Sequence, residues 1–159
     1  MKFRKIEEHS GSNNFIKLKD KESVVGVFQG DIYELFVRWE NGKATEVPES
    51  ANGASFRFRI NFVVKEGTTF VPKIIEQGVT VYRQLEELHA EYDLSTIFVK
   101  ITRNGTGTDT SYSIIPSKAQ IKKEELAHIK TLKLHDLSGK KEAGSDNGVS
   151  FDSDEEIPF

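Results

Sequence analysis

From Phe56 to Val64 the chain alternates, with Phe56, Phe58, Ile60, Phe62 and Val64 interleaved by Arg57, Arg59 and Asn61. Successive side chains of a strand point to opposite faces. The run therefore predicts an amphipathic strand with one apolar face for a core. The other face presents two guanidinium groups, which fork onto phosphate or stack on a base. An ordinary half-buried strand kept soluble by its arginines has the same pattern.

The same alternation, with its interruptions, predicts the other elements. Phe15 to Lys19 reads as a short strand, and Glu22 to Gln29 as a β-branched and aromatic one. Gly30-Asp31 reads as a turn, and Tyr33 to Trp39 as the return strand of a hairpin. Within that strand Tyr33, Leu35, Val37 and Trp39 are expected inward, and Glu34, Phe36 and Arg38 outward. Asn41-Gly42 is a turn signal, and residues 48–54 read as a loop.

After the Phe56–Val64 run, Glu66-Gly67 predicts a turn into a strand from Thr69 to Glu76, which Gly78 ends. Val81, Leu85, Leu88 and Tyr92 recur at helical spacing, with Thr80 as N-cap. A strand from Ser95 to Arg103 has Ile97, Val99 and Ile101 inward, and Phe98, Lys100 and Thr102 outward. A glycine-containing loop, Asn104 to Asp109, leads to a last strand ended by Pro116. Ser117 and Gln120 form a capping-box pattern for a second helix reaching about Leu134.

The expected fold is thus mainly β with two helices. Setting aside the 69–76 strand as an extra hairpin strand leaves the element order of an OB-fold, a five-stranded Greek-key barrel with a helix between core strands 3 and 4. Such folds bind oligonucleotides on the face of strands 2 and 3 and in two adjoining loops. A different small barrel or an α+β sheet shares this order. The expected organisation is a basic N-terminal arm at 1–14, the OB-fold at 15–116, a C-terminal helix at 117–136, a disordered linker at 137–150 and an acidic tip at 151–159.

Charge sharpens this picture. The formal net charge of −3 conceals a body, residues 1–141, of +3 and a tail, residues 142–159, of −6. That asymmetry is characteristic of nucleic-acid binders with an interaction tail. The absence of Cys excludes disulfides and cysteine metal sites. His9, His89, His128 and His135 lack metal-ligand spacing, no nucleophile motif is present, and Glu86-Glu87 and Glu124-Glu125 read as helix faces. Neither an enzyme nor a cofactor is expected. No apolar run approaches a membrane span and the N-terminus has no signal-peptide core, so a cytoplasmic protein is expected.

The expected binding residues are Phe36, Arg38, Arg57, Arg59 and Asn61 on one surface, with Lys100 outward on its strand. Aromatic and basic groups interleaved in this way suit single strands, because rings stack on any base while cations meet the backbone. Arg103 ends one strand and Tyr112 sits in the next, across the 104–109 loop. They either flank the groove or, with Asp109 as partner to Arg103, hold a structural hairpin.

The end of the chain is the most specific signal. Asp154-Glu155-Glu156-Ile157-Pro158-Phe159 resembles the tip of bacterial single-stranded-DNA-binding proteins, in which an acidic run ends in Ile-Pro-Phe. The body, across about residues 15–116, resembles the single-stranded-DNA-binding proteins of tailed phages and prophages. That likeness lies in Phe56-Arg57-Phe58-Arg59-Ile60-Asn61-Phe62 and in the stretch from Thr102 to Tyr112. Phe3-Arg4-Lys5 looks like the cooperativity arm of the T-even phage helix-destabilising protein, whose zinc-binding Cys/His set this chain lacks.

The resemblance implies a non-enzymatic protein that coats single-stranded DNA in replication, recombination and repair. It implies self-association through the arm and recruitment of replication and repair proteins through the tip, in a host cytoplasm if the chain is phage-encoded. The alternatives are a binder of RNA or of recombination intermediates, and a protein–protein adaptor without nucleic-acid binding.

Overall fold

The computed structural model describes residues 14–138. The expected arm, all but its last residue, and the expected tip lie outside them, as does the expected linker beyond Ser138.

The alternating run forms β3 (Ser55–Glu66). It lies at the heart of a six-stranded antiparallel sheet with β1 (Ser23–Glu40), β2 (Lys43–Val47), β4 (Thr69–Gly78), β5 (Val99–Asn104) and β6 (Ser111–Pro116). The strand order is β4-β3-β1-β5-β6, with β2 on β1. Among the described residues the α-helices are α1 (Val79–Glu91) and α2 (Lys123–Ile129), and Gly107–Asp109 forms one 3-10 turn.

The expected hairpin at Gly30-Asp31 is instead an irregularity within one 18-residue strand. β1 pairs with β3 on both sides of it, Gln29 opposite Asn61 and Tyr33 opposite Arg59. Gly30, Asp31 and Ile32 therefore stand against the single residue Ile60. Gly30 supplies a φ of +83°, which glycine adopts without a Cβ penalty. Both flanking segments find the same long partner, so the turn chemistry makes a bulge and no reversal. The real reversal comes at Asn41-Gly42, with φ of +54° and +78°, the geometry that two-residue hairpins favour. It leads into β2, which the sequence pattern did not predict.

The register also decides the faces. Phe36 stands opposite Phe56, and the two rings meet edge-on with centroids 5.7 Å apart. Phe36 thus shares the core face with Phe56, while Tyr33 and Leu35 oppose Arg59 and Arg57. The expected assignment of β1's second half therefore holds only in part: Leu35 and Val37, expected inward, are buried, whereas Trp39 is exposed and Phe36, expected outward, lies on the Phe56 side. The core face carries Phe28, Phe58, Ile60, Phe62, Ile75, Val99 and Ile101, and α1 covers it with Val81 and Leu85. Tyr112 packs toward this core. The last residue of β4, Gly78, is the N-cap of α1, in place of Thr80.

The opposite face has a second apolar cluster of Val27, Val63, Phe98 and Ile129. Phe98, expected outward, is buried there at the foot of α2. The second helix is shorter than the pattern suggested and begins at Lys123, where the Glu125 carboxylate accepts the Lys122 amide at 3.0 Å. The predicted strand near Phe15 is a single parallel bridge from Phe15 to Ile74.

Candidate nucleic-acid interface

The outer face of β3 carries, in order, Arg57, Arg59, Asn61 and Val63. Chain that follows α2 runs down this face. Ile129 packs with Val63, the His135 backbone meets Asn61, and the Leu137 carbonyl accepts Arg59 Nη1 at 2.7 Å. His135 Nε2 lies 2.9 Å from the Pro72 carbonyl, which makes that nitrogen the donor. The expected open face is therefore half covered.

Asn61, offered as a binding residue, is only 3% exposed and serves as the anchor of this segment. Arg59 is a junction. Its Nε donates to Glu76 Oε1 at 2.8 Å, and its guanidinium carbon lies 6.0 Å from the Phe15 ring centroid and 5.8 Å from that of Tyr33. Those separations suit cation–π attraction. Arg57 Nε lies 3.4 Å from the other oxygen of Glu76. The Tyr33 hydroxyl donates to Glu46 Oε2 at 3.1 Å. Burial and then the nearby Glu46 carboxylate push its phenol up, against the Arg59 charge, which lowers it.

Sequence reasoning missed Tyr33 and Trp39 as members of this face and placed both inside. Trp39 is 47% exposed, on the same side of β1 as Tyr33 and Leu35 by strand parity. Their aromatic character was visible in the sequence, but their side was not. Phe15, Glu76 and Glu46 are further members that local pattern could not place, since each comes from another element. The charge expectation changes too, because Glu76 and Glu46 offset the two arginines.

Of the other expected residues, Lys100 stands on this side of the sheet, opposite Val25, and Phe36, Arg38 and Arg103 do not. Phe36 and Arg38 lie on the opposite face, where Arg38 Nε donates to Glu40 at 2.7 Å and Nη1 to the Asn52 carbonyl at 3.2 Å. Arg103 is 8% exposed and donates to the carbonyls of Gly105 and Leu18 and to the Thr110 hydroxyl. It knits the 104–109 loop to the chain before β1 through these groups. Lys100 is exposed on β5, opposite Val25 and Ile115.

A shallow depression of about 230 Å³ on the α1 side is lined by Glu34, Phe56, Val79, Tyr82, Arg83 and Glu86. There the Tyr82 hydroxyl donates to Glu34 Oε2 at 2.8 Å. No three His, Asp or Glu side chains converge as a metal site among the described residues. No helix among them is long and apolar enough to cross a membrane. Comparison of the chain with protein-family models, curated proteins and solved structures found no match.

Proposed function

We propose that this chain is a non-enzymatic binder of single-stranded DNA, built on an OB-fold and acting on the outer face of β1, β3 and β4. The observation that carries the reading is Arg59 set between the Phe15 and Tyr33 rings, with Arg57 one step along the strand. Exposed Trp39 on the same side adds a ring for base stacking. Arg38 and Phe36 no longer belong to the proposed surface.

The strand order supports the OB-fold reading in a form different from the expected one. With β1 unbroken, the core strands become β1, β3, β4, β5 and β6, and α1 lies between the third and fourth. The added element is β2, in the connection between the first two core strands, and β4 is a core strand. The neighbours β4-β3-β1-β5-β6 follow the Greek-key barrel order. A closing pairing of β4 with β6 is not among those of the described residues. The resemblance of the tip, Asp154 to Phe159, supports recruitment of replication and repair proteins, and that of Phe3-Arg4-Lys5 supports cooperative self-association.

The test is a titration of matched single-stranded DNA, single-stranded RNA and duplex at several salt concentrations. Single-stranded DNA binds tightest, with a linear log–log salt dependence, and replacing both Arg57 and Arg59 by Ala shallows the slope by about 1–2 units. A second reading, an adaptor that binds no nucleic acid, draws support from Glu76, which engages both arginines. Absence of binding to all three nucleic acids would decide for the adaptor.

A further inference from the structure

Arg57 and Arg59 meet one carboxylate. Glu76 stands directly opposite Arg59 on β4, with Oε1 2.8 Å from Arg59 Nε and Oε2 3.4 Å from Arg57 Nε. All three side chains are largely shielded, at 13% exposure for Arg57 and 17% for Arg59 and Glu76. Two like charges on alternate residues of one strand, in a partly desolvated place, repel unless an anion sits between them. Glu76 is that anion.

A carboxylate and a phosphate diester present the same thing to a guanidinium: two anionic oxygens that accept N–H donors. We infer that Glu76 is a resident substitute for a backbone phosphate. It holds the two arginines in register while the face is empty, and a phosphate of the bound strand displaces it from at least one of them. This rests on the single-strand-binding reading above. It assigns Glu76 a role as a positioning residue that sets affinity. With the carboxylate in place the cluster carries one net positive charge instead of two. Small anions therefore gain little there, and a polyanion has to break an ion pair to bind.

The consequence differs from that of a purely structural ion pair. Replacing Glu76 by Gln keeps a hydrogen-bond acceptor of the same shape and removes the charge that competes with phosphate. Glu76→Gln should tighten binding of a short oligothymidylate about three- to tenfold at low salt, the range of a partly screened ion pair. It should steepen the log–log salt slope by about 0.7, the value for one further phosphate neutralised on a single strand. Glu76→Asp, which keeps the carboxylate, should retain the wild-type slope. In a background of Arg57→Ala with Arg59→Ala, Glu76→Gln should change neither affinity nor slope.

Weaker binding by Glu76→Gln with an intact fold, or an unchanged slope, would overturn the inference. If the arginine double variant alone binds as wild type does, this face is not the binding surface, and the functional reading fails together with the inference. Thermal melting checks that each variant folds. Should Glu76→Gln not fold, the Nε–H resonances of Arg57 and Arg59 in the wild-type protein provide the test. Oligothymidylate should shift one or both as the carboxylate bond is exchanged, and unshifted resonances in a saturated complex would overturn the inference.

Discussion

Asn61 and His135, 74 residues apart, exchange two hydrogen bonds: Asn61 Nδ2 donates to the His135 carbonyl at 3.2 Å, and the His135 amide donates to Asn61 Oδ1 at 2.9 Å. The side chain imitates a strand partner and fastens the segment after α2 to the middle of β3. Because Asn61 is 3% exposed, removing its amide strands backbone groups that water cannot readily reach. Asn61→Ala should lower stability by about 1–3 kcal/mol. It should also raise the amide exchange rate of His135. Slow exchange at His135 in a destabilised variant would show that the segment is held elsewhere.

Trp39 and Phe36 should separate binding from stability. Trp39→Ala should cost about 1–3 kcal/mol of single-strand affinity, the range for a lost base stack, with little change in melting temperature, since the indole is 47% exposed. Phe36→Ala loses an edge-on ring pair with Phe56 and should destabilise the fold by about 2 kcal/mol while leaving the salt slope as it was. The reverse pattern would restore the face assignment read from the alternation alone.

Arg103→Ala should act on the fold. Its guanidinium donates to two carbonyls and one hydroxyl from a largely buried position, so truncation should cost about 2–4 kcal/mol. Urea titration reads that loss, and the salt slope of DNA binding at a temperature where the variant is folded should match wild type. A slope shallower by one unit would place Arg103 on the phosphate path.

Alkaline pH should weaken the protein through two phenols. Tyr33 is raised by burial and by Glu46, and Tyr82 by its hydrogen bond to Glu34. Each holds its proton more tightly in the folded chain than in the unfolded one. Their stabilising contribution is therefore complete below the unfolded phenol value of about 10 and is lost as pH rises through the higher folded value. The urea midpoint should fall across that window, and Tyr33→Phe with Tyr82→Phe should flatten the fall. An equally steep fall in the double variant would assign it to other groups.

The tip lies outside the described residues, and its prediction comes from sequence. Deleting residues 151–159, or Phe159→Ala alone, should abolish capture of replication and repair proteins in a pull-down. Pro158 confines Ile157 to extended conformations, and Phe159 offers an apolar anchor beside the acidic run. Undiminished capture by the truncated protein would reduce the tail to a solubilising extension.

The strand at Phe56–Val64, the turns at Asn41-Gly42 and Glu66-Gly67, the apolar side of α1 at Val81 and Leu85, and the inward set Val99 and Ile101 were legible from the chain alone. Each is a local matter, since a two-residue period, a helical period or a residue that tolerates positive φ acts over a few positions. The sequence alone also put two arginines on the face of β3 opposite its phenylalanines.

What those arginines touch was decided only in three dimensions. A strand with apolar residues on both sides, as β1 has in Leu35 and Phe36, fits either face until its register against a partner is set. Pairing on both sides of the Gly30–Ile32 bulge set that register, turned Phe36 inward and left Trp39 out. Glu76 reached Arg59 through the β3–β4 pairing, and Leu137 reached it from 78 residues away. Chain separation conceals such contacts because ion pairs and hydrogen bonds depend on distance in space, and that distance follows from the packing of α2 and the sheet.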